Sequence, residues 1–128
     1  EKKFGRRYWI YFSKAFVKMY QEDYASAAEL FESSYELKPH WASLYNASLA
    51  YLGEERFEQA ERALERAELS LLEEEGEYLR ERAKILLKRV ELAIHRNQRE
   101  QAEDLLLRIR ELDPDNIRAT ILRSLLSD

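Results

Sequence analysis

The sequence contains no cysteine, three glycines, two prolines and two histidines. Without cysteine, the chain can form neither a disulfide framework nor a thiolate metal site. No apolar run approaches the roughly 20 residues that a membrane-spanning helix needs, and no signal peptide is present. Few glycines and prolines, together with 45% apolar and 36% charged residues, favour a helical globular chain. At 128 residues, we expect one domain with a core of its own.

The sequence also lacks the patterns that carry catalysis or cofactor binding. It has no glycine-rich phosphate loop, and His40 and His95 stand in neither a metal-ligand nor a catalytic-triad spacing. The triplet at residues 46–48 fits a glycosylation sequon, but it falls inside a predicted helix, on a packed face. We therefore predict that the protein is not an enzyme and has no catalytic residue, no metal site and no cofactor.

Charge is distributed unevenly along the chain. Residues 1–20 hold six basic side chains and one acid, residues 21–77 hold four and fifteen, and residues 78–128 hold eleven and nine. The simplest interpretation is a set of solvated helix faces, and the alternative is that the ends and the middle attract different partners. The basic residues are interleaved with acids or with predicted core positions, which argues against nucleic-acid binding.

Hydrophobic periodicity predicts seven helices joined by short turns. The first ends near residue 20, and the others span about 24–38, 41–52, 55–72, 78–96, 99–112 and 116–126. Asp23 is expected to cap the second helix, and Gly53 to close the third in a left-handed conformation. Gly76 is expected in the connection after the fourth helix, and Asp113 or Asp115 at the start of the seventh. Four residues of the seventh helix are predicted to point inward: Ile117, Thr120, Ile121 and Leu125.

The first helix is unusually aromatic, since eight of the fifteen aromatic residues fall within the first 24 positions. Its apolar residues recur at spacings of three and four: Phe4, Tyr8, Tyr11, Phe12, Ala15, Phe16 and Met19. Such a helix is expected to bury more than one face, either in the domain or against a partner. Two registers are open. If Ala15 takes a small-residue position against the next helix, Lys14 and Lys18 fall where apolar residues are expected. A shift of one residue that turns Phe12, Phe16 and Met19 inward fits the sequence better.

One residue pattern occurs three times along the chain. It begins with an aromatic residue, followed by a small residue, a large apolar residue and a second small residue. Its members are Tyr24, Ala27, Phe31 and Ser34; then Phe57, Ala60, Leu64 and Ala67; then Arg99, Ala102, Leu106 and Ile109, where the aromatic is lost and the second small residue is enlarged. The small residues let paired helices approach closely, and Phe31, Leu64 and Leu106 are expected to fill the groove between neighbours.

Together with Asn46-Ala47-Ser48, Tyr51 and the turn at residues 111–116, this pattern resembles the tetratricopeptide repeat (TPR), a helix–turn–helix unit of about 34 residues. The resemblance implies an all-α solenoid of antiparallel helix pairs. Its repeats would lie at about 8–40, 41–76 and 78–115, with a capping helix at about 116–127. The chain starts at Glu1 rather than Met, so we expect a piece of a longer protein. The style of the repeats resembles bacterial ones, which implies a bacterial cytoplasm or periplasm.

The resemblance further implies a binding module, because in this family the first helix of each repeat lines a concave groove that holds a peptide or helix of a partner. Mapped onto this sequence, the groove residues are Trp9, Phe12, Phe16, Tyr20, Tyr45, Asn46, Leu49, Lys84, Leu87, Lys88 and Glu91. Lys84 and Lys88 share one helix face, and with Asn46 they resemble part of the two-carboxylate clamp that holds chaperone tails. That clamp also uses polar residues of the first helix, where this chain has Phe12 and Phe16, so an apolar peptide with an acidic flank is the expected ligand.

Other interpretations of these residues stay open. Asn46 would instead form a helix–helix hydrogen bond, and the two lysines would be simple solvated side chains. The aromatic first helix would be a surface for assembly or self-association, since interface cores favour Tyr, Trp, Phe and Met. Exposed aromatic rings on that helix would favour assembly, rings in the groove would favour peptide binding, and burial of Trp9, Tyr11 and Tyr20 would make them core residues.

Overall fold

The computed structural model describes residues 2–127, with side chains from Arg7 onward, so the Phe4 side chain lies outside the described part. Within that part, the chain forms seven α-helices. They are α1 (Lys2–Tyr20), α2 (Tyr24–Leu37), α3 (Trp41–Gly53), α4 (Phe57–Leu72), α5 (Leu79–His95), α6 (Arg99–Leu112) and α7 (Ile117–Leu126). The seven predicted helices are confirmed, with bounds that differ by at most two residues. None of these helices, over the described residues, is long and apolar enough to cross a bilayer.

Three of the turns share one backbone geometry. Glu22, Glu55 and Asn97 each adopt a left-handed conformation, with φ of 60°, 59° and 58°. In each turn the next N–H donates to the carbonyl five residues earlier: Asp23 to Lys18 at 2.9 Å, Arg56 to Tyr51 at 2.9 Å and Gln98 to Ala93 at 2.8 Å. This is the Schellman arrangement, which satisfies carbonyls at a helix end. The repeated residue pattern therefore corresponds to a repeated turn between the helices of a pair.

Gly53 does not close α3 in a left-handed conformation, so that prediction was wrong. Gly53 is the last residue of the helix, and the left-handed position belongs to Glu55. Glycine is needed here because the Tyr24 ring lies against it: a Cβ on Gly53 would sit 2.7–2.8 Å from three carbons of that ring. Gly76, in contrast, has φ of 117° and lies between α4 and α5, where the connection was predicted.

The contact between Gly53 and Tyr24 predicts that the effect of Gly53→Ala on stability depends on whether the Tyr24 ring is present. We expect Gly53→Ala to lower the free energy of unfolding by about 1–3 kcal/mol, because the added methyl group must displace the ring. In a Tyr24→Ala background the same change should be neutral or stabilising by up to about 1 kcal/mol, since alanine favours a helix over glycine. Urea unfolding of the four proteins measures this. An equal cost in both backgrounds would contradict the contact.

Helix capping follows the prediction at α2 but not at α7. The carboxylate of Asp23 accepts a hydrogen bond from the Ser26 N–H at 3.3 Å, as an N-cap should. At α7 the cap is Asn116, whose amide oxygen accepts from the Ala119 N–H at 2.9 Å. The prediction that one of the two preceding aspartates caps α7 was therefore wrong. Asp113 instead accepts a hydrogen bond from the Asn116 amide, at 3.0 Å, and holds the cap in position.

The helices form two compact units, Glu1–Glu74 and Glu75–Asp128. In the N-terminal unit, α1 packs on α2, α2 on α3, and α3 on α4. One cluster of its core consists of small residues around an aromatic ring: Ala15, Ala27, Ala28, Phe31, Ala47 and Ala50. Ala15 is fully buried and takes the small-residue position, while Phe12 and Met19 pack against the same cluster partly buried and Phe16 is 44% exposed. The small side chains allow the close helix packing that the sequence predicted.

In the C-terminal unit, α5 packs on α6 and α7 contacts both. The core residues are Leu86, Val90, Ala93, Ala102, Leu105, Leu106, Ile109, Ala119 and Leu122. The predicted inward face of α7 was wrong, because Ile117, Ile121 and Leu125 are exposed and Thr120 is too. Ala119 and Leu122 face the core instead. A small residue at the contact lets α7 approach α5 and α6 closely, as in the repeats.

Candidate functional site

Three of the predicted groove residues form one cluster of rings on α1. The Trp9 and Phe12 ring centroids are 5.7 Å apart, and those of Phe12 and Phe16 are 5.0 Å apart, both in edge-to-face contact. Phe12 and Phe16 also contact the buried Phe31 ring of α2, at 5.7 and 5.1 Å. Trp9 is 60% exposed, and Tyr20, one turn after Phe16, is 94% exposed. The α1 residues thus make one surface that is anchored in the core and open to solvent.

A buried polar network fixes α1 on its neighbours. Tyr8 is buried, and its ring stacks on Phe12 at 5.4 Å and on His40 at 6.5 Å. The Ser34 hydroxyl donates to the Tyr8 carbonyl at 3.3 Å and lies 3.4 Å from the Ser43 hydroxyl. Burial raises the pKa of Tyr8 above its ordinary value of 10.0, while a hydrogen bond with Ser43 opposes that shift. Sequence reasoning missed Ser43, whose only signal was a small polar residue on an apolar helix.

The predicted residues of α3 are less accessible than those of α1. Tyr45 is buried, and its ring packs edge-on against Trp41 at 5.9 Å. The Asn46 side-chain amide donates to the carbonyl of Ala42, one turn earlier in the same helix, at 2.8 Å. This bond is neither the ligand contact nor the helix–helix bond that the sequence suggested. Leu49 is half-buried.

The predicted residues of α5 lie in the C-terminal unit, where an ion-pair network occupies two of them. The Lys88 ammonium is 3.0 Å from one carboxylate oxygen of Glu91, and the other oxygen accepts from Arg118 of α7 at 3.0 Å. Leu87 is partly buried against the core, and Lys84 is exposed. Lys88 therefore already has a carboxylate partner in the folded chain.

A second polar link joins α2, α3 and α4. The Tyr51 hydroxyl donates to Glu32 at 2.8 Å, and Arg66 donates to the same carboxylate at 3.0 and 3.1 Å. Burial, followed by the negative charge and hydrogen bond of Glu32, raises the pKa of Tyr51 to about 12. Because each helix contributes one partner, we interpret this link as structural.

Each histidine lies at the end of a helix. His40 caps α3, where its Nδ1 accepts from the Ala42 N–H at 3.1 Å. His95 is the last residue of α5. Over the residues that the structure describes, no group of three or more His, Asp or Glu side chains could hold a metal ion.

Comparison with known proteins identifies the fold. No family model and no curated protein matches the chain. Among solved structures, the N-terminal domain of stress-induced protein-1 (STI-1) from C. elegans superposes with a TM-score of 0.86, at 17% identity over 98% of each chain. The second TPR domain of human RPAP3, solved in complex with the HSP70 peptide SGPTIEEVD, gives 0.78 at 17% identity over 98% of each chain. The TPR domain of Arabidopsis OM64 gives 0.77 at 17% identity over 95% of each chain. This chain therefore has the fold of a TPR domain, and the predicted all-α solenoid class is confirmed.

Proposed function

We propose that the chain is a protein-interaction module that binds a peptide or helix of a partner protein on the aromatic face of α1. The observation that carries the proposal is the anchored ring cluster of Trp9, Phe12 and Phe16, with Tyr20 beside it. Aromatic rings that are exposed on one side and packed against the core on the other lose little conformational entropy when a ligand covers them. Tryptophan and tyrosine are also the residues most enriched among energetically dominant interface contacts.

The ligand is proposed to be apolar along most of its contact. The RPAP3 domain of similar fold was solved with a peptide that ends in EEVD, which makes peptide binding a reasonable use of this fold. In this chain, however, Phe12 and Phe16 offer rings instead of polar groups, and one N–H of the Asn46 amide is already bonded within its helix. Apolar side chains of the ligand would therefore supply most of the contact. The residues Lys84, Leu87, Lys88 and Glu91 on α5 stay a separate prediction, for acidic groups of a ligand.

The proposal is tested by selecting peptides from a phage-displayed random library on the immobilised chain and titrating them by fluorescence anisotropy. We expect Trp9→Ala/Tyr20→Ala to weaken binding of the selected peptides by at least about ten-fold, as for dominant aromatic contacts. Both side chains are largely exposed, so circular dichroism and thermal unfolding should stay unchanged. Ile117→Ala/Leu125→Ala, which removes exposed apolar groups from α7, is the matched control and should bind normally.

Two results would contradict this assignment. Recovery of peptides that bind the α1 variant and the parent equally would move the site off the aromatic face. Tight binding of the SGPTIEEVD peptide that is lost in Lys84→Ala/Lys88→Ala would favour a chaperone-tail clamp instead.

Self-association through α1 is the alternative function. The exposed rings suit an interface between copies, but residues 2–20 contain six basic side chains and no acid. Two copies that meet along this helix would bring like charges together, which is unfavourable. Light scattering coupled to size-exclusion chromatography tests it, and a dimer that Trp9→Ala/Tyr20→Ala dissociates would support it. We propose no enzymatic activity.

A further inference from the structure

A second exposed apolar row lies on α1 beside the ring cluster. Ile10 is 45% exposed and Val17 is 54% exposed. These two residues are seven apart, so they lie on one side of the helix, with the exposed Ser13 between them. The row adjoins Trp9 and Tyr20, but neither Ile10 nor Val17 belongs to the predicted groove. We call the surface formed by Trp9, Ile10, Ser13, Val17 and Tyr20 the outer face of α1.

Basic residues border this outer face. Arg7 and Lys14 are exposed and precede Ile10 and Val17 by three positions each, so they form the neighbouring row on the helix surface. Lysine and arginine account for six of the residues from 2 to 20, and no aspartate or glutamate occurs there. Lys18 forms an ion pair with Asp23 in the following turn, at 3.9 Å. A surface that complements the charge of this helix is therefore negative.

We propose that the outer face of α1 binds the surface of an anionic lipid bilayer. Helices that lie in the membrane interface combine an apolar face that contains Trp or Phe with flanking Lys and Arg. Indole and phenol rings favour the level of the lipid headgroups, and basic side chains extend from an apolar surface toward negative charge. Trp9 and Tyr20 lie near the two ends of the aliphatic row, and Arg7 and Lys14 lie along its side.

The shape of the outer face also suits a bilayer. It is the convex surface of one helix, and its apolar depression is a shallow one bounded by Phe16, Val17, Tyr20 and Gln21. A planar lipid surface needs no cleft for binding. Since α1 could not cross a bilayer, the interaction would be at the surface. A second copy of the chain would bring another basic helix, and an acidic helix of another protein is an outcome that the test below separates.

The experiment is co-sedimentation of the full 128-residue chain with vesicles of phosphatidylcholine, with and without phosphatidylglycerol. We expect binding to the anionic vesicles at low salt, weak binding to the neutral ones, and a loss of binding as salt is raised. Arg7→Gln/Lys14→Gln should weaken partition by about 25-fold, because each basic residue near a lipid surface contributes about five-fold. Ile10→Ser/Val17→Ser should also abolish most of the binding.

Two further measurements locate the contact. Ile117→Ser/Ile121→Ser removes the same kind of exposed side chain from α7, and this control should bind vesicles like the parent. In a Trp41→Phe background, Trp9 is the single tryptophan, and its emission should shift to shorter wavelength when vesicles are added. Circular dichroism of each variant without lipid checks that the helices are intact.

Several outcomes would overturn the proposal. The first is that the parent chain fails to bind anionic vesicles at low salt. This result would be decisive without any variant. The second is equal binding to neutral vesicles, or equal binding by the α1 variants. The third is a dimer that Ile10→Ser/Val17→Ser dissociates, or an acidic peptide that binds this face while vesicles do not. Peptide binding at the ring cluster can survive all of these, because Ile10→Ser/Val17→Ser leaves Trp9 and Tyr20 in place.

Discussion

Replacement of Phe31 by alanine is expected to lower the free energy of unfolding by about 3–5 kcal/mol, as for other buried phenylalanines. The Phe31 side chain on α2 is fully buried among small alanine side chains. Two rings of α1, Phe12 and Phe16, meet it edge-on. Truncation would leave a cavity at the point where α1 is anchored, and the alanines around it are too small to fill that space.

Urea unfolding followed by circular dichroism measures the cost, and amide hydrogen exchange locates it. We expect faster exchange in α1, α2 and α3, since these helices supply the residues around Phe31. Phe31→Leu is the matched control, because leucine keeps most of the volume, and its cost should be under about 1.5 kcal/mol. Should Phe31→Ala cost less than its leucine counterpart, the ring would not be the anchor of α1. Selected peptides should also bind Phe31→Ala more weakly, since Phe12 and Phe16 lose their support.

The positions of the helices could be predicted because packing restricts residue size at fixed offsets. Ala27, Ala60 and Ala102 are all fully buried, and each stands where two helices approach closely. A larger side chain there would push the helices apart, so the requirement is visible as a small residue in a periodic pattern. Proline gave a further signal: the residue before Pro39 is extended, with φ of −145° and ψ of 103°, which stops α2.

The turn geometry could not be predicted in the same way. Glu22 and Glu55 adopt left-handed conformations, although glutamate has no preference for them. The Schellman hydrogen bonds that close these turns use backbone groups, which leave no trace in the residue type. Gly53 was misinterpreted for this reason. Its glycine reflects the Tyr24 ring that lies against it, and that contact joins residues from two different helices.

The orientation of α7 was ambiguous because two of its faces are apolar. The sequence reasoning chose the row of large side chains at Ile117, Ile121 and Leu125, yet the core side holds Ala119 and Leu122. Large side chains would bury more apolar area, but a small residue such as Ala119 allows α7 to approach its neighbouring helices more closely. The close approach therefore decides which face of α7 packs on the core. The helix thereby keeps an exposed apolar row.

For the candidate site, spacing predicted which residues share a face but not which partners they have. Trp9, Phe12 and Phe16 are separated by three and four positions, and the structure brings their rings together. Lys88 is paired with Glu91, which also binds Arg118 of another helix. Such a network depends on side chains 27 residues apart in sequence, which periodicity within one helix cannot reveal.

The repeat pattern and the packing make opposite predictions for Ile109. In the pattern, Ile109 stands where the other repeats have Ser34 and Ala67, so Ile109→Ala would restore a small residue. A consensus argument would therefore predict a more stable protein. In the structure, Ile109 is fully buried on α6, within the core of the C-terminal unit. The space that its side chain fills has no other occupant, so we expect Ile109→Ala to cost about 2–5 kcal/mol.

Urea unfolding, together with hydrogen exchange in α5, α6 and α7, distinguishes the two predictions for Ile109. The matched control is Ile121→Ala, the same substitution at an exposed position of α7, which should cost under about 0.5 kcal/mol. A large loss of stability for Ile109→Ala beside a small one for Ile121→Ala would mean that the third repeat packs differently from the first two. In the third repeat the isoleucine side chain would fill the space that the first two repeats close by a close approach of their helices. A gain in stability for Ile109→Ala would mean that α5, α6 and α7 can move together around the alanine. The prediction from the repeat pattern would then be correct, and the prediction from the packing would be wrong.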